Sequence, residues 1–509
     1  MRKYWIGILL VVLVLAARFI PGPRTIDDAY ITFRYARNIL DGQGFVFNPG
    51  ERVLGTTTPF FTLSMVTLAS FSGGVNAPFP WLALALNSVA DALSVLMLWQ
   101  FGRRLKMELA GIAAGILWAV APFSVSFAIG GMETSVYIFL LLASVYAYLQ
   151  QKRGLTTLFA AFAILTRPDA LILVGPLAID RLVRAIWLKE KLTLREVTAF
   201  LIPLAAWAFF ATWFFGSPIP HSIQAKLAVY RLDEHAAFIR LLQHYANLLQ
   251  QFNYAGATGL IIGMVLFPVL YIIGGLHSMR QEKRLLVLLL YPWLYFLTFA
   301  VPNPLLFRWY LTPPLPAYFL FCLVGMQAAL HKALKIFPDT QPSTWKKAIL
   351  IIFLILLPFM SLISAWQIHP NHGPDRPSPE MAWFQLELLY QKAAQMIKPN
   401  LQPGQVLAAG DVGMLGFYTD AYILDTVGLN SAQTLDYYPI PADLYVTNYA
   451  IPTQLILQEQ PDWIVILEVY GRKTFLADTK FQQEYQLWDS LPTDIYGSEA
   501  MLIYHRNQR

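Results

Sequence analysis

Apolar runs dominate the first 366 residues. Twelve stand out, near 4–20, 59–72, 80–101, 109–128, 134–150, 154–167, 170–186, 197–215, 256–276, 286–300, 311–329 and 348–366. Crossing a bilayer takes about 20 helical residues, with a range near 17 to 25. Most of the runs reach that length. Segments 59–72 and 154–167 are short, and 134–150 is marginal. One short run in the first half re-enters or stays on one side, so the pattern predicts 11 to 13 spans. Between the runs lie two long polar loops, 21–58 and 216–255. Within the first, DDAYITFRYARNIL predicts a short amphipathic helix on the membrane surface, ended by the DGQG turn at 41–44. Its apolar residues include Tyr30, Phe33 and Ile39, while Arg34 and Arg37 are three apart and share a face.

After residue 366 the pattern changes. Residues 380–397 carry a helical period, and Val406–Ala409, Tyr422–Leu424, Trp463–Leu467 and Met501–Tyr504 read as strands. The predicted fold is a polytopic α-helical membrane module, residues 1–366, followed by a soluble mixed α/β domain, residues 367–509. No internal repeat is visible.

Composition agrees with a membrane chain. Of 509 residues, 56% are hydrophobic and 13% charged, against about 25% charged in soluble domains. The N-terminal MRKYW followed by an apolar run resembles a signal peptide, but no small-residue cleavage site precedes Pro21, so an uncleaved first helix is expected. The single cysteine, Cys322, excludes an intramolecular disulfide and any cysteine-cluster metal site.

Charge adds orientation. Residues 367–509 carry 8 Lys/Arg and 16 Asp/Glu, whereas residues 1–366 carry 29 and 15. The basic groups gather in short loops, such as Arg103-Arg104, Lys152-Arg153 and Arg181 to Arg195. Positive-inside bias explains them without nucleic acid and puts the acidic domain outside the cytoplasm.

The most telling chemistry is Asp27-Asp28, at the mouth of the first apolar run. Charged groups at that depth cost desolvation and call for a functional reason. Adjacent residues point in different directions on a helix, so the two can have separate jobs. One can take a proton from an acceptor hydroxyl. The other can orient it or bind a divalent cation that holds a phosphate. A plain helix cap at Asp27 is the structural alternative.

These residues also carry a resemblance. DDAYITFRYARN, GFVFNPGERVLGTTTPF, SFAIGGMETSVY, LTRPDA, PHSIQAKL, FRWYLTPPLP and GDVGMLGFYTDAYILDTVGLN together resemble the C-fold (GT-C) integral membrane glycosyltransferases. Within that fold the stretches resemble the mycobacterial terminal arabinofuranosyltransferase group and its bacterial relatives. The resemblance implies sugar transfer from a polyprenyl-phosphate donor at the outer face of a bacterial plasma membrane, with Asp28 or Asp27 as base. Two positions depart from that group. Leu54-Gly55-Thr56 stands where relatives usually have Glu-Gly-Tyr, and His221 where they often have Asn.

A lipid phosphate needs positive partners near the interface. Arg34, Arg37, Lys226 and Arg308 are the candidates, with lipid headgroup contact as the alternative for the first two and snorkelling for Lys226. Tyr310 belongs to an aromatic cluster around Arg308 that suits a sugar platform or an interfacial belt. Glu133 can hold a sugar hydroxyl or pair with Arg167, which can pair with Asp169. Glu51, in the first loop beside Arg52, is a candidate for binding the donor's sugar or phosphate, and His221 is a phosphate or sugar contact or neither. Asp411 and Asp425 cap turns or approach the membrane site. His369 and His372 stand on a Pro-Gly-rich linker and do not complete a metal cluster.

Direct attack by the activated hydroxyl inverts the anomeric centre. The acceptor is a glycan, glycolipid or protein of the cell envelope. Two other classes stay open, a transporter or flippase of lipid-linked glycan and a non-enzymatic envelope assembly protein.

Overall fold

The computed structural model describes residues 2–336, 344–368, 376–382 and 384–507, with side chains from Tyr4 onward. His369 and His372 lie outside the described residues. The chain forms a helical membrane module and a C-terminal mixed α/β domain.

Six helices are long and apolar enough to cross a bilayer: Phe79–Arg104, Leu194–Phe215, Phe252–Gln281, Lys283–Ala300, Arg308–Leu334 and Thr344–Ile363. The apolar run at 109–128 is not one straight span. It forms Glu108–Val120 and Pro122–Ile129, bent by 47°. Ala121 is extended at ψ 129°, because the ring of Pro122 disfavours a helical residue before it. Counting that pair once gives seven. The other runs make shorter apolar helices, among them Tyr4–Phe19, Pro59–Ser70, Thr134–Leu149 and Arg153–Thr166. The 12 residues of Pro59–Ser70 reach about 18 Å at 1.5 Å per residue, against a hydrocarbon core of about 30 Å. The length criterion therefore stops short of the predicted 11 to 13 spans: the runs at 59–72, 134–150 and 154–167, marked by the sequence as short or marginal, fall below it, and so do those at 4–20 and 170–186, which it does not mark.

Backbone approach and buried charge lock the module. A Cβ at Gly274 would lie 1.9 Å from the Phe321 carbonyl oxygen, and one at Gly325 would lie 1.9 Å from that of Leu270. Two long helices thus cross at paired glycines, as small residues permit in membranes. Arg18, at the end of the first helix, donates from Nε and Nη2 to Asp91 Oδ2 at 3.1 and 2.9 Å and to Ser124 Oγ at 2.6 Å. Ser135 donates to the same Asp91 oxygen at 3.0 Å. Both charges are fully buried, and breaking such a pair costs about 3–5 kcal/mol because it orphans its partner.

The loop at 21–58 folds as expected into a helix, Asp27–Leu40, but not on the lipid surface. Ten of its 14 residues are buried. It packs against Pro59–Ser70 on one side and against Gly413–Thr419 of the soluble domain on the other. The second loop, 216–255, contains the helices His221–Val229 and Ala236–Ala246.

Seven strands are described. β1 (Trp366–Gln367) and β2 (Ser378–Pro379) form a small antiparallel pair. The others are β3 (Val406–Ala409), β4 (Tyr422–Asp425), β5 (Trp463–Leu467), β6 (Tyr485–Pro492) and β7 (Ala500–Arg506), and they form one sheet in the order β4-β3-β5-β7-β6. The pairs β3–β4 and β3–β5 are parallel, and the rest are antiparallel. Every residue of β5 is buried, so it reads as a continuous apolar run, WIVIL. β6 escapes the sequence pattern because it is an edge strand, with most of its residues at least partly exposed. The predicted helix at 380–397 begins later, at Gln385.

Candidate functional site

The site is built at the end of the helical module that carries the soluble domain. The backbone at Ile26 is extended and the helix begins at Asp27, so the two aspartates occupy its first turn. Successive helical residues are rotated by about 100°, and the aspartates diverge accordingly.

Asp27 faces the soluble domain. Its Oδ2 accepts the N–H of Gly413 at 2.8 Å, and its Oδ1 accepts that of Met414 at 2.7 Å. It does not cap its own helix, whose N-cap is Ile26. It caps Gly413–Thr419 instead. Each oxygen carries one of these bonds, and Asp27 is not among the residues that line the cavity beside Asp28. Burial, together with the nearby Asp411 carboxylate, pushes its pKa well above the ordinary carboxylate range, and the two amides oppose that shift.

Asp28 faces a cavity of about 210 Å3. Lys226, Glu133, Arg167, Asp169 and Tyr310 also line it, and Gly55–Thr58 form another wall. Burial raises the Asp28 pKa, and the Lys226 ammonium opposes the rise. Lys226 lies 4.9 Å from the ring centre of Phe307 and 6.0 Å from that of Tyr310. Its helix is anchored by the His221 N–H, which donates to the Leu54 carbonyl at 2.9 Å. The cavity therefore places a carboxylate and an ammonium beside a threonine-rich wall.

Arg167 braces the opposite side. It donates to both Asp169 oxygens at 2.9 and 3.1 Å and to Glu133 at 3.4 Å. Tyr295 donates to Asp169 Oδ2 at 3.1 Å. The guanidinium lies 4.4 Å from the centre of the Tyr310 ring. Glu133 thus takes the pairing alternative while still bordering the cavity.

Four sequence candidates lie elsewhere. Arg34 is buried over the Phe47 ring and donates to the Ala421 carbonyl at 2.6 Å. Burial and the adjacent Arg37 lower its pKa to about 9. Arg37 donates to the Phe417 carbonyl at 2.8 Å and pairs with Asp420. Glu51 accepts from Asn48 at 3.0 Å and from Tyr422 at 2.9 Å. All three fasten the first loop to the soluble domain and lie outside the Asp28 cavity. His221 contributes its backbone as an anchor. Burial lowers the pKa of its imidazole, which disfavours a cationic phosphate contact, and the ring does not line the Asp28 cavity.

Arg308 does not share the Asp28 cavity either. With Arg240 it lines two further cavities, of about 330 Å3 and 640 Å3. Arg240 had no signal beyond an unremarkable position in the loop 216–255. The threonine wall lies within GTTTPF, a stretch with no ionisable side chain to mark it. Asp425 is a turn cap: it accepts the N–H groups of Val427, Gly428 and Asn430 at 2.9, 2.9 and 2.8 Å. Asp411 accepts from Tyr390 and borders the 330 Å3 cavity. Among the described residues, no group of three or more His, Cys, Asp or Glu side chains is arranged to hold a metal ion.

Residues 380–504 match a family described as a domain of unknown function (DUF8728). The terminal β-(1→2)-arabinofuranosyltransferase of Mycobacterium tuberculosis is 30% identical over 221 residues, which is 39% of this chain and 34% of that protein. The match thus spans about a third of the curated relative. Among solved structures, ArnT from Cupriavidus metallidurans bound to undecaprenyl phosphate superposes with a TM-score of 0.54 at 14% identity, over 98% of this chain and 96% of that one. The apo oligosaccharyltransferase of Archaeoglobus fulgidus superposes with a TM-score of 0.58 at 10% identity, over 99% and 75%. The fold is that of the GT-C membrane proteins.

Proposed function

We propose that this chain is a glycosyltransferase that moves a sugar from a polyprenyl-phosphate donor to a cell-envelope acceptor. The reaction takes place on the extracytoplasmic side of a bacterial plasma membrane. The observation that carries the reading is the single cavity shared by Asp28 and Lys226. The GT-C fold supports it, as do the undecaprenyl phosphate bound by ArnT and the sugar transfer named for the mycobacterial relative.

Lys226 holds the donor phosphate, and Tyr310 with the threonine wall borders the sugar. Asp28 accepts the proton of the acceptor hydroxyl as its oxygen bonds to the anomeric carbon. The bond from that carbon to the phosphate oxygen breaks, and the electron pair leaves with the polyprenyl phosphate. Direct displacement inverts the anomeric centre. Lys226 stabilises the charge that develops on the leaving oxygen. Burial suits Asp28 to the task, because a raised pKa makes it a stronger base while Lys226 keeps the carboxylate form accessible. A divalent cation here would have Asp28 as its aspartate ligand from the pair, since amides engage both oxygens of Asp27.

The test is transfer in reconstituted membranes with labelled polyprenyl-phosphate pentoses and hexoses and the host's envelope glycans. Asp28→Asn is expected to lower turnover by about 100- to 10,000-fold, the range for losing a positioned base. Lys226→Gln is expected to weaken donor binding. Full activity in folded Asp28→Asn protein, or no binding of polyprenyl phosphate by the wild type, would sink the proposal.

A further inference from the structure

A run of five aromatic rings leads away from the Asp28 cavity. Trp309 borders that cavity and also the neighbouring one of about 330 Å3. Trp309 stacks on Phe307, with centres 4.7 Å apart and an interplanar angle of 7°. Phe307 meets Tyr230 at 5.8 Å, Tyr230 meets Tyr449 at 6.0 Å, and Tyr449 meets Tyr470 at 4.9 Å. The first three rings come from the membrane module and the last two from the soluble domain. Ordinary interdomain packing would bury these rings against one another and leave no space. Here all five border a cavity, together with Asp411 and Asn448.

The cavity also has a cationic end. Arg240 and Arg308 line it, and both continue into the 640 Å3 cavity, whose wall includes Gln243, Asn247 and Glu380. Two guanidiniums in one cavity repel each other, and the Arg240 pKa is lowered by burial and by Arg308. Guanidinium forks match carboxylate or phosphate geometry, so the pair offers two such forks to one ligand.

We infer that the space between the two modules is the acceptor subsite, and that the acceptor is an acidic glycan. The apolar C–H faces of its sugar rings lie against the Tyr230, Tyr449 and Trp309 rings, and its carboxylate or phosphate substituent lies on Arg240 and Arg308. The shared Trp309 aligns the acceptor end with Asp28. The word acceptor rests on the proposed transferase activity, whereas the binding of an acidic glycan does not.

The experiment measures binding to the full chain in lipid nanodiscs. The probes are the host's envelope glycans, split by ion exchange into acidic and neutral fractions, and polyprenyl phosphate in parallel. The wild type and Asp28→Asn should bind the acidic fraction at least tenfold more tightly than the neutral one. The Arg240→Gln/Arg308→Gln double variant should lose at least tenfold in acidic-glycan affinity and keep its affinity for polyprenyl phosphate. The Arg240→Lys/Arg308→Lys variant should recover part of the loss. Removing the carboxylates by reduction, or the phosphates by hydrolysis, tells which anion is read. Equal binding of both fractions, no binding of either, or unchanged acidic-glycan binding by a folded double Gln variant would overturn the inference. Loss of polyprenyl phosphate binding in the wild type, with acidic-glycan binding intact, would instead overturn the transferase proposal alone.

Discussion

The Asp27 carboxylate accepts the backbone N–H of Met414 at 2.7 Å, across 387 residues of chain. The residue beside it, Asp28, lines the candidate catalytic cavity. One helical turn therefore both receives the soluble domain and presents the proposed base. Docking of the domain and placement of Asp28 thus share one helical turn.

Asp27→Ala removes two charge-assisted hydrogen bonds to Gly413 and Met414. Each such bond is worth about 1.5–3 kcal/mol. The variant is expected to release the soluble domain, seen as a lower thermal midpoint and faster proteolysis around residue 413, and to lose transfer although Asp28 is intact. Asp27→Asn keeps one acceptor oxygen and should be milder. A variant with wild-type midpoint and protease resistance would refute the clamp.

Gly413 is the other half of that contact. A Cβ there would sit 1.9 Å from the Asp27 backbone oxygen. Gly413→Ala is expected to cost about 1–3 kcal/mol, the usual penalty for overpacking, and to reproduce the Asp27→Ala protease pattern. Tight docking in Gly413→Ala would show that the helices can separate without cost.

Asp28 must be deprotonated to act, and burial raises its pKa. Activity is therefore expected to fall as pH drops through a value above the ordinary carboxylate range, which is near 4. Lys226 opposes the rise, so Lys226→Gln should move the acid limb of kcat/KM to still higher pH. A limb that stays in place would separate the two groups electrostatically.

Asp411 is buried, and its pKa is raised from 3.8 to about 6. The folded state then holds this proton more tightly than the unfolded state does. Its contribution is fully present below about pH 4 and is lost as pH rises through about 6. Burial is the main cause, the Tyr390 hydroxyl opposes it, and the Asp28 and Asp425 carboxylates favour protonation further. The domain junction should melt at a higher temperature at pH 5 than at pH 8, and Asp411→Asn should flatten that difference. An unchanged slope in the variant would place the pH dependence elsewhere.

Within the membrane module, Gly325→Ala would drive a Cβ to within 1.9 Å of the Leu270 carbonyl oxygen. The helices Phe252–Gln281 and Arg308–Leu334 must then move apart. A loss of thermal stability in detergent of about 1–3 kcal/mol is expected, with Cys322, buried in that contact, becoming more reactive to a thiol reagent. An unreactive thiol and an unchanged midpoint would show a tolerant crossing.

The sequence by itself determined the class of molecule, the membrane module and mixed domain, four of the five strands of the larger sheet and the helix that begins at Asp27. Those features follow from patterns within a few residues: apolar length, alternation and turn chemistry. It also marked Asp28, Lys226, Glu133 and Tyr310, which the fold brings to one cavity. Only the tertiary structure decided what each charge meets. Arg34, Arg37 and Glu51 look like ligand contacts in a polar loop, but their partners Ala421, Phe417 and Tyr422 lie about 370–390 residues away. The same distance separates Asp27 from Met414 and divides two adjacent aspartates into a clamp and a candidate base. A carboxylate's role depends on which donors surround it after folding, and local spacing carries no record of donors so far along the chain.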